Sequence, residues 1–302
     1  MRTMSRSLIL VLLAVSCAGL TACGDADDSP GSPARPSVFV SVEPLQFFAG
    51  RIGGDMVDVH VLVAAGQSPA TYEPTARQMT QMAEADLFFV VGVPMEEQLI
   101  PRIRRLFPDV KIVDTRGGLE LEPAAEGIRG AGGHEHTHSG FDPHVWLDPR
   151  RARKMAHNVY QALEEIAPAH RADFIRNSRA LDEELVGLQS EVTAILEPDR
   201  GKEIVVFHPA YGYFADAFGL EQLAIEEGGV TPGSRHLAEI IELARDKGVK
   251  AIFVQPQFSS ATAAAVAAAV GAELVTLDPL AADYPANMRK MAVDIHDALS
   301  TE

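Results

Sequence analysis

The stretch His170–Leu196 restricts the fold most. Phe174, Leu181, Leu185, Leu188, Val192 and Ile195 recur at steps of seven, four, three, four and three. That spacing lays one apolar stripe along one face of a helix. At 1.5 Å per residue the helix is roughly 40 Å long. No other segment of that length is present to pair with it as a coiled coil. A long amphipathic helix without an equal partner has to bury its stripe against something else. The segments on either side decide what that is.

On the N-terminal side, Val38–Val42, Val57–Val63, Leu87–Val91 and Val110–Val113 read as strands. Leu87–Val91 is continuously apolar, as in a parallel strand covered on both faces. Between the strands lie helical stretches at Leu45–Ile52, Thr75–Ala85 and Met95–Phe107, and a further helix follows Pro149 to about Ile166. His60 is on the face of its strand opposite the valines and is read as a non-ligand. On the C-terminal side the pattern returns. Strands are expected at Glu203–Phe207, Leu220–Ile225, Ala251–Val254 and Leu274–Leu277, with helices at Ala210–Phe218, His236–Lys247, Thr262–Val270 and Pro285–Leu299. Alternating strands and helices imply an α/β lobe built on a mostly parallel sheet. The expectation is two such lobes, 38–166 and 201–302, each flanked by helices and joined by one rigid connecting helix over 168–198.

The N-terminus is of another kind. Arg2 and Arg6 precede the apolar run Leu8–Leu13, and Leu20-Thr21-Ala22-Cys23 closes the segment. This reads as a signal peptide over 1–22 that is too short to span a bilayer comfortably. Its end has the bacterial lipobox pattern, so Cys23 is the expected lipidation site and the protein is expected to be anchored outside the cytoplasm. Residues 23–37, rich in Pro, Ser and Gly, form a flexible tether. Cys17 would leave with the signal, so no disulfide and no thiolate metal site remain. Any transition metal has to be held by histidine and carboxylate. The formal net charge is −16, and loss of a leader with two arginines and no acids takes it to −18. Such a chain is a poor binder of nucleic acid. A monomer is expected.

Three residues share a place in this layout. His208 follows the first strand of the second lobe, and Asp278 follows its last. His144 lies in Asp142-Pro143-His144-Val145-Trp146-Leu147-Asp148-Pro149, where two prolines restrict the backbone. Ligands of open α/β sheets bind beyond the carboxyl ends of the strands. Two imidazoles and a carboxylate converging there suit a borderline divalent cation. Residues 114–141 read as a long loop carrying His134, His136 and His138. A loop can bring them to one ion, although their spacing cannot put all three on one helix face.

Together, Gly66–Pro74, Asp142–Pro149, Val206–Phe214 and Thr276–Leu280 resemble the zinc and manganese solute-binding lipoproteins of ABC transporters. The resemblance runs from Val38 to Leu299. It implies two lobes joined by one long helix, metal capture between them, delivery to a permease with its ATPase, and little movement on metal release. It makes His144, His208 and Asp278 the metal ligands. Histidine at position 208 goes with zinc members, glutamate with manganese and iron members, so Zn²⁺ is expected and Mn²⁺ is the lesser alternative. The histidine-rich loop is also a zinc-type feature. The chain departs from the family at Ala70, where a histidine normally follows the proline. Water or an anion, a loop histidine such as His136 or His138, or Glu73 are the replacements open to it. A zinc-dependent hydrolase and a receptor for another ligand, including an adhesive one, are the alternatives to metal import.

Overall fold

The computed structural model describes residues 35–124, 140–226, 233–258 and 261–300. Cys23, His134, His136 and His138 lie outside these residues. In the first half, strands β1 (Ser37–Val42), β2 (Asp58–Val63), β3 (Leu87–Val90) and β4 (Lys111–Asp114) alternate with helices α1 (Glu43–Gly53), α2 (Ala76–Met82) and α3 (Pro94–Leu106). Helices α4 (Pro149–Ile166) and α5 (Arg171–Leu196) follow. The second half runs β5 (Glu203–Val206), α6 (Gly212–Phe218), β6 (Glu221–Ala224), α7 (Ser234–Asp246), β7 (Ala251–Val254), α8 (Ala261–Val270), β8 (Glu273–Thr276) and α9 (Tyr284–Ser300). The protein is thus α/β with two parallel sheets, ordered β2-β1-β3-β4 and β6-β5-β7-β8. Strand order reverses between β1 and β3 and between β5 and β7, which sets a crevice at the carboxyl edge of each sheet.

Local chemistry fixes the helix starts that matter for the site. Thr75 caps α2 in a reciprocal box with Gln78, whose amide also donates to the Leu62 carbonyl at 3.0 Å. The loop after β2 is pinned to its own strand in this way. Asp148, almost fully buried, caps α4 and accepts from the Arg150 backbone N–H at 2.8 Å. Pro149 follows in the first turn, where its missing N–H costs nothing.

The long helix behaves as its stripe requires, with one shift. Phe174, Leu181, Leu185, Leu188, Val192 and Leu196 are buried, whereas Ile195 is half-buried. The last core position is Leu196, a step of four from Val192, because the final turn follows the 3.6-residue period. The stripe packs on α1, α4 and α9. Helix α9 also reaches the first half directly, since the Tyr284 ring lies 5.2 Å from that of Phe48 and 5.7 Å from that of Phe47. One core therefore runs from β1–β4 through α5 to α6 and α9, and a smaller one fills the space between β5, β7, α7 and α8. No helix among the described residues is long and apolar enough to cross a membrane.

Candidate metal centre

The Asp142–Pro149 motif forms a short 3₁₀ turn over Val145–Leu147 and joins the two halves of the molecule. Trp146 is completely buried and its indole N–H donates to the Pro279 carbonyl at 2.8 Å. The Tyr284 hydroxyl donates to the Trp146 carbonyl at 2.6 Å. His144, two residues earlier, is thereby held over the second half. Its backbone N–H donates to Asp142 Oδ1 at 2.9 Å, and its ring Nδ1 lies 2.7 Å from the same oxygen.

His208 arrives from the other side, two residues beyond β5. Its ring centroid is 5.8 Å from that of His144 and steeply inclined to it, with an interplanar angle of 76°. Nδ1 of His208 lies 2.9 Å from Glu226 Oε2, and Phe258 stacks on the ring at 4.7 Å. Asp142 and Glu226 are both buried. Each imidazole therefore has Nδ1 committed to a buried carboxylate, which leaves Nε2 as the nitrogen for a cation. This is the arrangement by which a second carboxylate orients a ligating histidine and makes it more basic. Neither carboxylate is marked by a metal-ligand motif in the sequence. Asp142 was legible at two residues from His144. Glu226 was not, because its approach to His208 depends on how β6 lies beside β5.

Asp278 sits at the same end of the second sheet but does not join the pair. Its Oδ1 accepts from Gln257 Nε2 at 2.6 Å and from the Leu280 backbone N–H at 3.0 Å. It faces α1 closely enough that the Glu43 carboxyl, raised first by burial, is raised further by the Asp278 charge. Among the described residues, no three His, Cys, Asp or Glu side chains gather as a metal-holding group. Glu73 is exposed and outside the cleft wall, and Thr75, not Glu73, serves the start of α2. His60, on β2, lies against Phe39 of β1, with ring centroids 5.1 Å apart.

His144 and His208 open on a cleft of about 520 Å³. Ser68, Pro69 and Ala70 form one wall, Gly92–Pro94 another, and Gln255, Gln257 and Phe258 a third. The Gly92 wall depends on glycine. Its φ is +84°, and an added Cβ would fall 1.8 Å from the Arg116 guanidinium. Behind it, the Glu96 carboxylate accepts from the backbone N–H groups of Val91 and Gly92 at 3.0 and 2.6 Å. Burial pushes this carboxyl up to about 7, against the opposing pull of its hydrogen bonds and of Arg116. Glu96 thus holds the β3–α3 turn, while the Met95 N–H donates to the Pro69 carbonyl and ties that turn to the Ala70 wall.

A family model described as zinc-uptake complex component A, periplasmic, matches residues 38–298. The chain belongs to this ZnuA family. Among curated relatives, the zinc-binding lipoprotein AdcA of Streptococcus pneumoniae serotype 4 is 30% identical over 279 residues, which cover 90% of this chain and 55% of AdcA. This chain therefore spans about half the length of that relative. The high-affinity zinc uptake system protein ZnuA of Yersinia pestis is 29% identical over 272 residues, covering 83% of this chain and 85% of that protein. A crystal structure of ZnuA superimposes with a TM-score of 0.80 at 32% identity, over 88% of this chain and all of that one. The laminin-binding protein Lmb of Streptococcus agalactiae, described as having adhesin and metal-transporting activity, gives 0.75 at 28% identity over 88% of this chain and 100% of Lmb. The α/β halves and long helix expected from the sequence are those of this family.

Proposed function

We propose that this chain is the extracytoplasmic receptor of an ABC importer, which takes Zn²⁺ into the cleft and passes it to a membrane permease and its ATPase. The observation that carries the reading is the His144–His208 pair, with both Nδ1 atoms braced by buried carboxylates. Nε2 of each ring binds the ion. Asp278 becomes a third ligand when the ion replaces the Gln257 amide as its partner. Two imidazoles and one carboxylate suit zinc better than a hard cation. Lipidation at Cys23, with residues 23–37 as tether, holds the receptor to a bacterial membrane. The lobes are taken as 38–166 and 201–302, linked by 168–198. The chain acts as a receptor, not as an enzyme.

The test is a zinc competition titration of the purified protein. It should bind one zinc ion, and His144→Ala or His208→Ala should weaken binding at least a hundredfold. Absence of stoichiometric zinc binding, or binding by both variants as tight as the parent's, would overturn the reading.

A further inference from the structure

We propose that the cleft takes zinc together with a small organic co-ligand of the α-amino-acid type, an amine and a carboxylate on one carbon. The proposal rests on the zinc-receptor reading and specifies its cargo. First, the wall that faces the metal pair supplies little coordination. Ser68, Pro69 and Ala70 bring one hydroxyl, and Ser68 Oγ already accepts from the Ala70 N–H at 3.3 Å. Second, the cleft is too large for an ion. Two waters completing a coordination sphere fill about 60 Å³ at ~30 Å³ each, against about 520 Å³ here. That volume falls in the range of pockets for small organic molecules, roughly 300–1,000 Å³.

Third, the lining has the character of such pockets, mostly apolar with a few amides. Pro69, Ala70, Val93, Phe141 and Phe258 supply the apolar surface. Gln255 and Gln257 also line the cleft, and the buried Gln257 Oε1 has no hydrogen-bond partner among the described residues. That unmet acceptor suits an amine. Charge narrows the class further. Glu97 and Asp142 are in the wall, and the chain carries −16 overall. A polyanionic chelator is repelled, whereas a zwitterionic amino acid adds no net charge before it binds the metal.

The experiment measures zinc affinity at buffered free zinc, with no addition, with L-histidine and with citrate, and weighs the complexes by native mass spectrometry. L-histidine should raise the affinity about tenfold, a coupling of ordinary size, and give one species of protein, zinc and amino acid. Citrate should give no such species. Ala70→His, which adds a protein donor to the bare wall, should bind zinc alone more tightly and lose the L-histidine effect. Gln257→Leu should reduce the ternary complex more than the binary one. Tight zinc binding that L-histidine only diminishes overturns the proposal and leaves the receptor reading intact. An L-histidine effect seen only after deletion of residues 134–138 also overturns it, since a loop histidine then fills the position. A ternary complex with citrate but not L-histidine overturns the assigned class. Failure to bind zinc in any arm defeats the receptor reading itself.

Discussion

Replacing Glu226 separates what its carboxylate does by charge from what it does by geometry. Glu226 is buried, and its Oε2 lies 2.9 Å from His208 Nδ1. Glu226→Gln keeps an oxygen that accepts from Nδ1–H, so the tautomer and ring orientation survive while the charge is lost. Glu226→Ala loses both and leaves the ring held mainly by its stack on Phe258. Removing such an outer partner typically costs 10- to 100-fold in metal affinity. We expect the glutamine variant near the lower end, about tenfold or 1.4 kcal/mol, and the alanine variant near the upper, about a hundredfold or 2.7 kcal/mol. Competition against a chromophoric zinc chelator at neutral pH measures both, with circular dichroism to confirm that each variant is folded. If both variants bind within twofold of the parent, the carboxylate does not position His208 and the reasoning about paired braces is wrong.

Other expectations follow from the same geometry. A Cβ on Gly212 would stand 3.1 Å from Asp142 Oδ2, so Gly212→Ala should displace the brace of His144 and weaken zinc binding severalfold with little change in melting temperature; unaltered affinity would show that the carboxylate accommodates the methyl. In the fold the Glu96 carboxyl titrates at about 7, above the 4.5 usual for glutamate, so the folded chain binds this proton more tightly than the unfolded one. Its contribution to stability is fully present below about 4.5 and is lost as pH rises through about 7. Glu96→Gln should therefore gain stability relative to the parent between pH 4.5 and 8, by on the order of 3 kcal/mol, and parallel urea midpoints across that range would count against it. Leu185→Ala empties a fully buried position on α5 and should cost about 2–5 kcal/mol in urea unfolding; a loss under 1 kcal/mol would mean that the connecting helix is not a core element.

The alternation of strands and helices made the fold legible because each signal is local. The continuous run Leu87–Val90 and the stripe from Phe174 to Val192 report burial through spacing alone. His144 and His208 were legible because each is tied to a feature the sequence marks, the first lying within a proline-bounded motif and the second just beyond a strand end. What escaped depends on side-chain direction across long sequence distances. Glu226 reaches His208 from 18 residues away, and Trp146 reaches Pro279 from 133. Asp278 was placed at the correct sheet edge, but its engagement with Gln257 could not be read from its position after a strand. Ile195 and Leu196 are both apolar at the end of the stripe, and only the packing of the last turn on its neighbours makes Leu196 the buried one. The continuous core through α1, α5 and α9 joins the two halves, a contact that no single segment of the sequence displays.

The central claim is that the two braced imidazoles hold zinc, and the most direct test is the zinc K-edge absorption spectrum of the one-to-one complex. The account predicts outer-shell scattering from at least two imidazoles, with one lost in His144→Ala and one in His208→Ala. A spectrum without imidazole scattering, or one that neither substitution changes, would place the metal elsewhere and contradict the account.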